Sequence, residues 1–278
     1  VVAAALVLVL GVVPAVLGAL DRSYLYQVAN LALIFVLLAA SMHLVTGVAG
    51  LLQLGHAAFY GIGAYTAALL ATEAGLTFGW TLPLSGLSAA FVAVLVALPT
   101  MRLVSIYFAV ATLGIGQMIY LVMLNWVPVT KGPNGILVTS GLELFGYDLS
   151  ASAPAYFVVA IITLVSLWVI HRLSHSYYGN ALRALREDDQ CADAMGLDTV
   201  RLKIESFAVS GFFAGIAGAL WAHTAGYISP ADFAFPQSIL ILAMVVVGGL
   251  GSLPGAVIGA LILILLPEVL RPVGDFRN

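Results

Sequence analysis

Long apolar runs, broken by short polar punctuation, set the layout of this chain. A membrane span needs about 20 mostly apolar residues. Val1–Leu20 carries no charge. The 50 residues between Arg22 and Glu73 also lack Asp, Glu, Lys and Arg. That is room for two spans, with Gly47, Gly50 and Gly55 as turn signals, and helices are predicted near Tyr24–Thr46 and Ala57–Ala71. Uncharged stretches of 28, 28, 23 and 26 residues follow at Ala74–Met101, Leu103–Thr130, Leu149–His171 and Ser206–Ala231, each fitting one span. Phe233–Pro267 has 35 residues and is split by Gly248–Gly255. Two helices are predicted there, about Pro236–Val247 and Gly255–Leu270, the first short or partly re-entrant. The pattern predicts nine membrane segments.

Backbone chemistry makes these segments helices. Lipid offers no partner to an unpaired N–H or C=O, so a spanning segment satisfies them internally. A barrel strand would alternate apolar and polar residues, which Leu261–Leu266 does not. Val1–Leu20 lacks the basic start and Ala-x-Ala end of a signal peptide. The chain opens Val1-Val2 rather than with methionine, so earlier residues are expected. The fold class is an all-α polytopic transmembrane helical bundle, read as one transmembrane domain over 1–278.

Composition agrees. Of 278 residues, 62% are hydrophobic and 8% charged, and the net charge is −3; mean hydropathy is +1.11. These values exclude a large soluble enzyme, a nucleic-acid binder and a disordered chain. One cysteine, Cys191, excludes a disulfide framework. Five of the ten basic residues (Arg172, Arg183, Arg186, Arg201 and Lys203) lie in His171–Glu205. The positive-inside rule puts that segment in the cytoplasm. By alternation Gly47–His56, Arg102 and 248–255 are inside, while Asp21–Arg22, Glu73–Trp80, Asn125–Ser152 and His223–Phe235 are outside. Arg271 and Arg277 then end outside, against the rule.

The hydrophilic segment 176–198 carries the most specific pattern. Ala181–Glu187 are strong helix formers. Asn180 is a candidate N-cap, Asp188 or Asp189 could cap a second turn, and Gly196 suits a C′ position. Leu182 and Leu185, with Ala181 or Ala184, make a narrow apolar face that could dock into a groove on a cytoplasmic partner. A solvated loop helix has the same periodicity.

Gly179-x-Ala-Leu-Arg-Ala-Leu-Arg-Glu-Asp, followed by Ala192-Asp-Ala-Met-Gly196, resembles the ATPase-coupling loop of permeases of ATP-binding-cassette importers. More narrowly, the chain is similar to one of the two related permeases of branched-chain amino acid importers. The likeness runs through Leu54–Tyr65, Thr130–Gly135, Lys203–Leu220, Tyr227–Pro230, Val246–Ser252 and Leu266–Arg271. It implies a multi-pass subunit of a bacterial inner membrane that moves leucine, isoleucine or valine by alternating access. It implies four kinds of partner: a second permease, two ATP-binding subunits, a periplasmic binding protein and membrane lipid. ATP and Mg would sit on the partner ATPases, and this chain would bind no cofactor. The residues assigned to ATPase coupling are Arg183, Arg186, Glu187, Asp188, Ala192, Asp193 and Gly196. Such permeases usually carry one more helix after the Leu-Pro-Glu segment, giving about ten helices. That would resolve the conflict at Arg271 and Arg277. Glu205 stands where these permeases carry an apolar residue and can pair with Arg201 one turn away. Relatives in this class carrying urea, short amides or other amino acids leave the substrate open.

Uncharged polar residues in the apolar runs suggest a path. Gln53 and His56 sit at a Gly-rich break, Gln117 in a locally loose helix, and Asn134 in the matching Thr130–Gly135 motif. Asn30 and His43 are equally readable as interhelical hydrogen-bonding groups, and His223 as interfacial. Gly211, Gly215 and Gly218 are spaced for close helix packing. No P-loop, dinucleotide fingerprint or Gly-x-Ser-x-Gly elbow occurs. His171 and His175 lack a third metal ligand. Ser210 and His223 are about 20 Å apart on one helix, too far for a catalytic pair. A secondary transporter would need an ionisable residue at mid-span, and Glu205, at a helix end, is the nearest candidate.

Overall fold

The computed structural model describes residues 23–275, except 102, 104, 139–140, 145–146 and 149–150. The expected first segment Val1–Leu20, the turn at Asp21–Arg22, Arg102 and Arg277 lie outside them. α1 (Ser23–Met42) continues into a π-helical turn, His43–Val48. α2 (His56–Thr72), α3 (Phe78–Thr100), α4 (Ser105–Asn125) and α5 (Ser152–Ser174) follow. The hydrophilic segment forms α6 (Tyr177–Glu187) and α7 (Asp189–Ala194). α8 (Thr199–Ala225), α9 (Phe235–Gly248) and α10 (Leu253–Asp275) complete the described bundle.

Six stretches are long and apolar enough to span a membrane: Tyr24–Val48, Phe78–Thr100, Tyr107–Asn125, Ala153–Ser174, Thr199–Ala225 and Pro230–Gly248. α2 has 17 residues, and the apolar part of α10 is Leu253–Glu268. Of the nine expected segments, Val1–Leu20 lies outside the described residues, and the other eight appear as six full-length spans and two shorter helices. Residues 49–55 are not helical, so α2 begins inside the bundle instead of at its end.

α8 lies against α1, α2 and α3. Its small residues make that possible. A Cβ at Gly211 would stand 2.6 Å from the Ala93 methyl, and one at Gly215 2.6 Å from that of Ala89. Gly218 meets the backbone of Tyr60 and Ala64 in α2. Polar bonds fix the same contacts: the Ser210 hydroxyl donates to the Ser41 carbonyl at 2.8 Å. His223 is buried, contacts the Thr81 hydroxyl through Nε2 at 3.0 Å and meets Phe78 edge-on. It is therefore a packing group between α8 and α3, not an interfacial one.

The two ends of the bundle differ. One gathers α6, the π-helical turn and the Gly248–Gly255 turn: the Arg186 guanidinium donates to the Gly47 carbonyl at 2.6 Å and lies beside Gly251. At the other, β1 (Ile136–Leu137) pairs antiparallel with β4 (Tyr227–Ile228), and the Tyr227 hydroxyl donates to the Asn134 carbonyl at 3.0 Å. A separate pair, β2 (Glu143–Leu144) with β3 (Tyr147–Asp148), lies in the α4–α5 connection. A 3-10 turn, Pro230–Phe233, is held by a Ser229–Asp232 capping box, and Phe233 meets Tyr60 and Tyr65 edge-on at centroid distances of 5.0 and 5.9 Å.

Replacing Gly215 with Leu should overpack the α3–α8 contact, costing about 1–3 kcal/mol or more. Gly114 has open space around it, so Gly114→Ala should be neutral or slightly stabilising, as Ala is favoured over Gly inside a helix. Thermal unfolding of the two purified variants checks both.

Candidate functional site

The hydrophilic segment 176–198 owes its position to its apolar face. Leu182 and Leu185 are buried in a cluster with Leu44 and Val48 of the π-helical turn and its C-cap Ala49. That face is thus used within the chain and is not free for a partner. The N-cap is Ser176, whose hydroxyl accepts from the Gly179 amide. Asn180, the expected cap, lies inside α6 instead, and its side-chain oxygen accepts from Arg183 at 2.9 Å. Arg183 also donates to the Ser174 carbonyl at 2.8 Å, tying α6 to α5.

A Cβ at Gly47 would strike the His43 ring, so glycine there makes room for His43 within the widened turn. Arg186 crosses to the Gly47 carbonyl and packs its stem on Gly50. Asp188 caps α7, accepting from the Gln190 and Cys191 amides at 2.9 Å each. These amides hold its carboxyl below the usual carboxylate range. Ala192 is buried, and Gly196 has φ 86°, where only glycine is unstrained, ending the segment with Leu197 N–H bonded to the Ala192 carbonyl.

Lys203, itself buried, pairs with Asp189 and fastens α7 to α8. Arg201 pairs with Glu205 at 2.7 Å, as their spacing suggested. Burial and the nearby Glu205 raise the Tyr178 phenol. The exposed surface includes Tyr177, Glu187, Gln190, Asp193 and Met195, and Arg183 and Arg186, also exposed, turn their guanidinium groups to the Ser174 and Gly47 carbonyls.

The second feature is the break between α1 and α2. The Leu54 amide donates to the Thr112 hydroxyl of α4 at 3.2 Å, and the Ala57 amide to the Ser238 hydroxyl of α9 at 3.0 Å. Side chains of other helices thus serve the start of α2, whose own N-cap is Gly55 and whose first turn holds no acid. His56 is fully buried, with Nε2 2.9 Å from the Ser41 hydroxyl. Gln53 is 1% exposed, and neither amide atom has a partner. Each such group costs roughly 1–3 kcal/mol.

Gln53 lines a void with Val96, Ile115 and Phe207 that is too tight for water. Gln117 lines a neighbouring void of about 10 Å³ with Leu113, Phe235 and Ser238. Gly55, Ala58 and Gly116 separate the two, and a Cβ at Gly116 would stand 2.9 Å from the Gly55 Cα.

The fold thus brings Gln53, His56 and Gln117 to one region and leaves Asn134 at the β1–β4 end. The sequence reading missed Ser41, Thr112 and Ser238. They are single hydroxyls in apolar runs, and only tertiary contact distinguishes them from others such as Thr66. Among the described residues no group of three metal-ligating side chains occurs.

A helical bundle of this size, with a docked hydrophilic helix pair at one end and an irregular break inside it, is what the chain presents for comparison with known families. The family model described as "Branched-chain amino acid transport system / permease component" matches residues 24–277. The chain belongs to that family. It is 37% identical over 273 residues to the high-affinity branched-chain amino acid transport system permease protein LivM of Escherichia coli, covering 90% of this chain and 64% of that one. The permease LivH of the same organism is 28% identical, over 82% of this chain and 79% of LivH. The permease BraD of Pseudomonas aeruginosa is 26% identical, over 86% and 84%. The chain therefore spans under two thirds of LivM. No solved structure matches. Family membership and the six long apolar helices make this a multi-pass membrane protein.

The capping role of Asp188 has a signed pH dependence. Its folded carboxyl is depressed below the ordinary value of 3.8, so its contribution is present above that value and is lost as pH falls through the depressed one. Asp188→Ala should speed hydrogen exchange at the Gln190 and Cys191 amides at neutral pH, and Asp188→Asn should do so less. The unaltered chain should show this loosening only in acid.

Proposed function

We propose that this chain is a membrane-spanning permease subunit of an ATP-binding-cassette importer for branched-chain amino acids in a bacterial inner membrane. The observation that carries the reading is the docking of α6. Its apolar face is fastened to the π-helical turn that follows α1, and its polar face, with Arg183, Arg186 and Glu187, is left outward, toward the cytoplasm. An element held in this way passes on a push from an ATPase instead of absorbing it. The names of LivM, LivH and BraD support the substrate class.

On this reading two ATP-binding subunits hold ATP and Mg, a second related permease completes the pathway, and a periplasmic binding protein delivers leucine, isoleucine or valine. Glu187, Asp188 and Asp193 meet the ATPase. Ala192 and Gly196 hold the shape of α7, and Arg183 and Arg186 transmit its displacement to α5 and α1. The path passes Gln53, His56 and Gln117, with Asn134 at its outer mouth. Gly211, Gly215 and Gly218 keep the helices beneath it rigid. Binding protein outside and ATP inside then bias a two-state bundle from opposite ends.

The test is uptake of labelled leucine by proteoliposomes holding the full subunit set, with binding protein outside and ATP inside. ATP-dependent uptake, competed by isoleucine and valine but not by urea, is expected. ATP-dependent uptake of urea alone would replace the substrate. Uptake that ignores ATP and follows an ion gradient would overturn the importer reading.

A further inference from the structure

The break between α1 and α2 contains a polar group that the fold leaves unused. Gln53 is almost fully enclosed, and both its amide nitrogen and its amide oxygen lack a partner. Buried polar groups in native proteins are nearly always paired, so an unpaired one calls for a reason. It lies two residues before the N-cap Gly55 and lines a void with Ala58 and Phe59 from the first turns of α2.

That helix end carries the positive pole of the α2 dipole, with no carboxylate in its first turn. The Ala57 amide is occupied only by the neutral Ser238 hydroxyl. The rest of the void wall includes Val96, Ile115, Ile119 and Phe207, all apolar. Donors at a helix N-terminus suit an anion. A primary amide supplies both a donor for a carboxylate and an acceptor for an ammonium. The apolar wall suits an aliphatic side chain.

The geometry points to a binding station for the backbone groups of an aliphatic amino acid, formed by Gln53 and the N-terminal end of α2. The carboxylate takes the Gln53 NH₂ and, once α4 withdraws and the two voids join, the α2 amide now held by Ser238; the ammonium takes the Gln53 oxygen, and the side chain lies against Ile115 and Ile119. The station rests on the importer reading above. It is closed in this conformation, because the Gly55–Gly116 contact brings α4 onto α2. Opening it requires α4 to withdraw, and α4 is the least buried of the long spans, at 22%.

The test uses the complete importer in proteoliposomes, with leucine as the probe, and compares Gln53→Leu and Gln53→Asn with the unaltered chain. Three quantities are read: ATP-driven uptake, ATP hydrolysis stimulated by binding protein, and the thermal midpoint of the complex. Gln53→Leu removes an unpaired buried polar group, so its midpoint should stay or rise. Its uptake should fall at least tenfold while stimulated ATP hydrolysis persists, and Gln53→Asn should lie between. Uptake within twofold of the unaltered chain would overturn the station and leave the importer reading intact. Loss of uptake together with a lowered midpoint and lost ATP hydrolysis would make Gln53 a structural residue and also overturn it. If the unaltered complex takes up no branched-chain amino acid, the importer reading fails, and the station fails with it.

Discussion

A stretch of irregular backbone inside an apolar bundle must find every hydrogen-bond partner without water, and this constraint shapes the structure around residues 49–55. In lipid such a segment survives only where protein or a polar cavity encloses it. Here the π-helical turn takes the first amides: Ala49 bonds to the Leu44 carbonyl and Leu51 to that of Val45. Thr112 and Ser238 take those of Leu54 and Ala57. Two separate helices, α4 and α9, are thereby tied to the start of α2. Any movement of either must trade these bonds for others, which gives the break a small number of defined states instead of a continuum.

The hydrophilic segment α6–α7 contacts the same place. Arg186 ends on the carbonyl of Gly47, within the π-helical turn that leads into the break. Arg183 holds the end of α5, and Lys203 joins α7 to α8. On the importer reading, a displacement delivered to the outward face of α6 and α7 reaches the break through backbone contacts a few residues long. The glycines of α8 permit close backbone packing and make the centre of the bundle a stiff reference against which α4, with fewer neighbours, can shift.

The spans were legible because charge is excluded from lipid, so the gaps between charged residues measure the helices directly. The break was legible too, since Gly47, Gly50 and Gly55 interrupt an otherwise uniform run. What failed was whatever depended on a neighbouring element. Ser176, four residues before Asn180, took the cap of α6 because that helix starts at Tyr177, one turn ahead of the strong helix formers. His223 was taken for interfacial because nothing in its own helix reveals Thr81 and Phe78 opposite it. The apolar face of α6 was visible as a stripe, but whether it served a partner or the parent chain was a tertiary question. Gln53 could be marked as polar at a break, whereas its lack of any partner is a property of the folded bundle alone.

The central claim is that transport requires α4 to separate from the start of α2. Ala58 and Ile115 line the same void from those two helices. In the complete importer, with Cys191 replaced by Ser, a disulfide between Ala58→Cys and Ile115→Cys would lock that contact. The account expects oxidation to abolish ATP-driven leucine uptake and reduction to restore it. Uptake that continues at its full rate with the disulfide formed would contradict the claim.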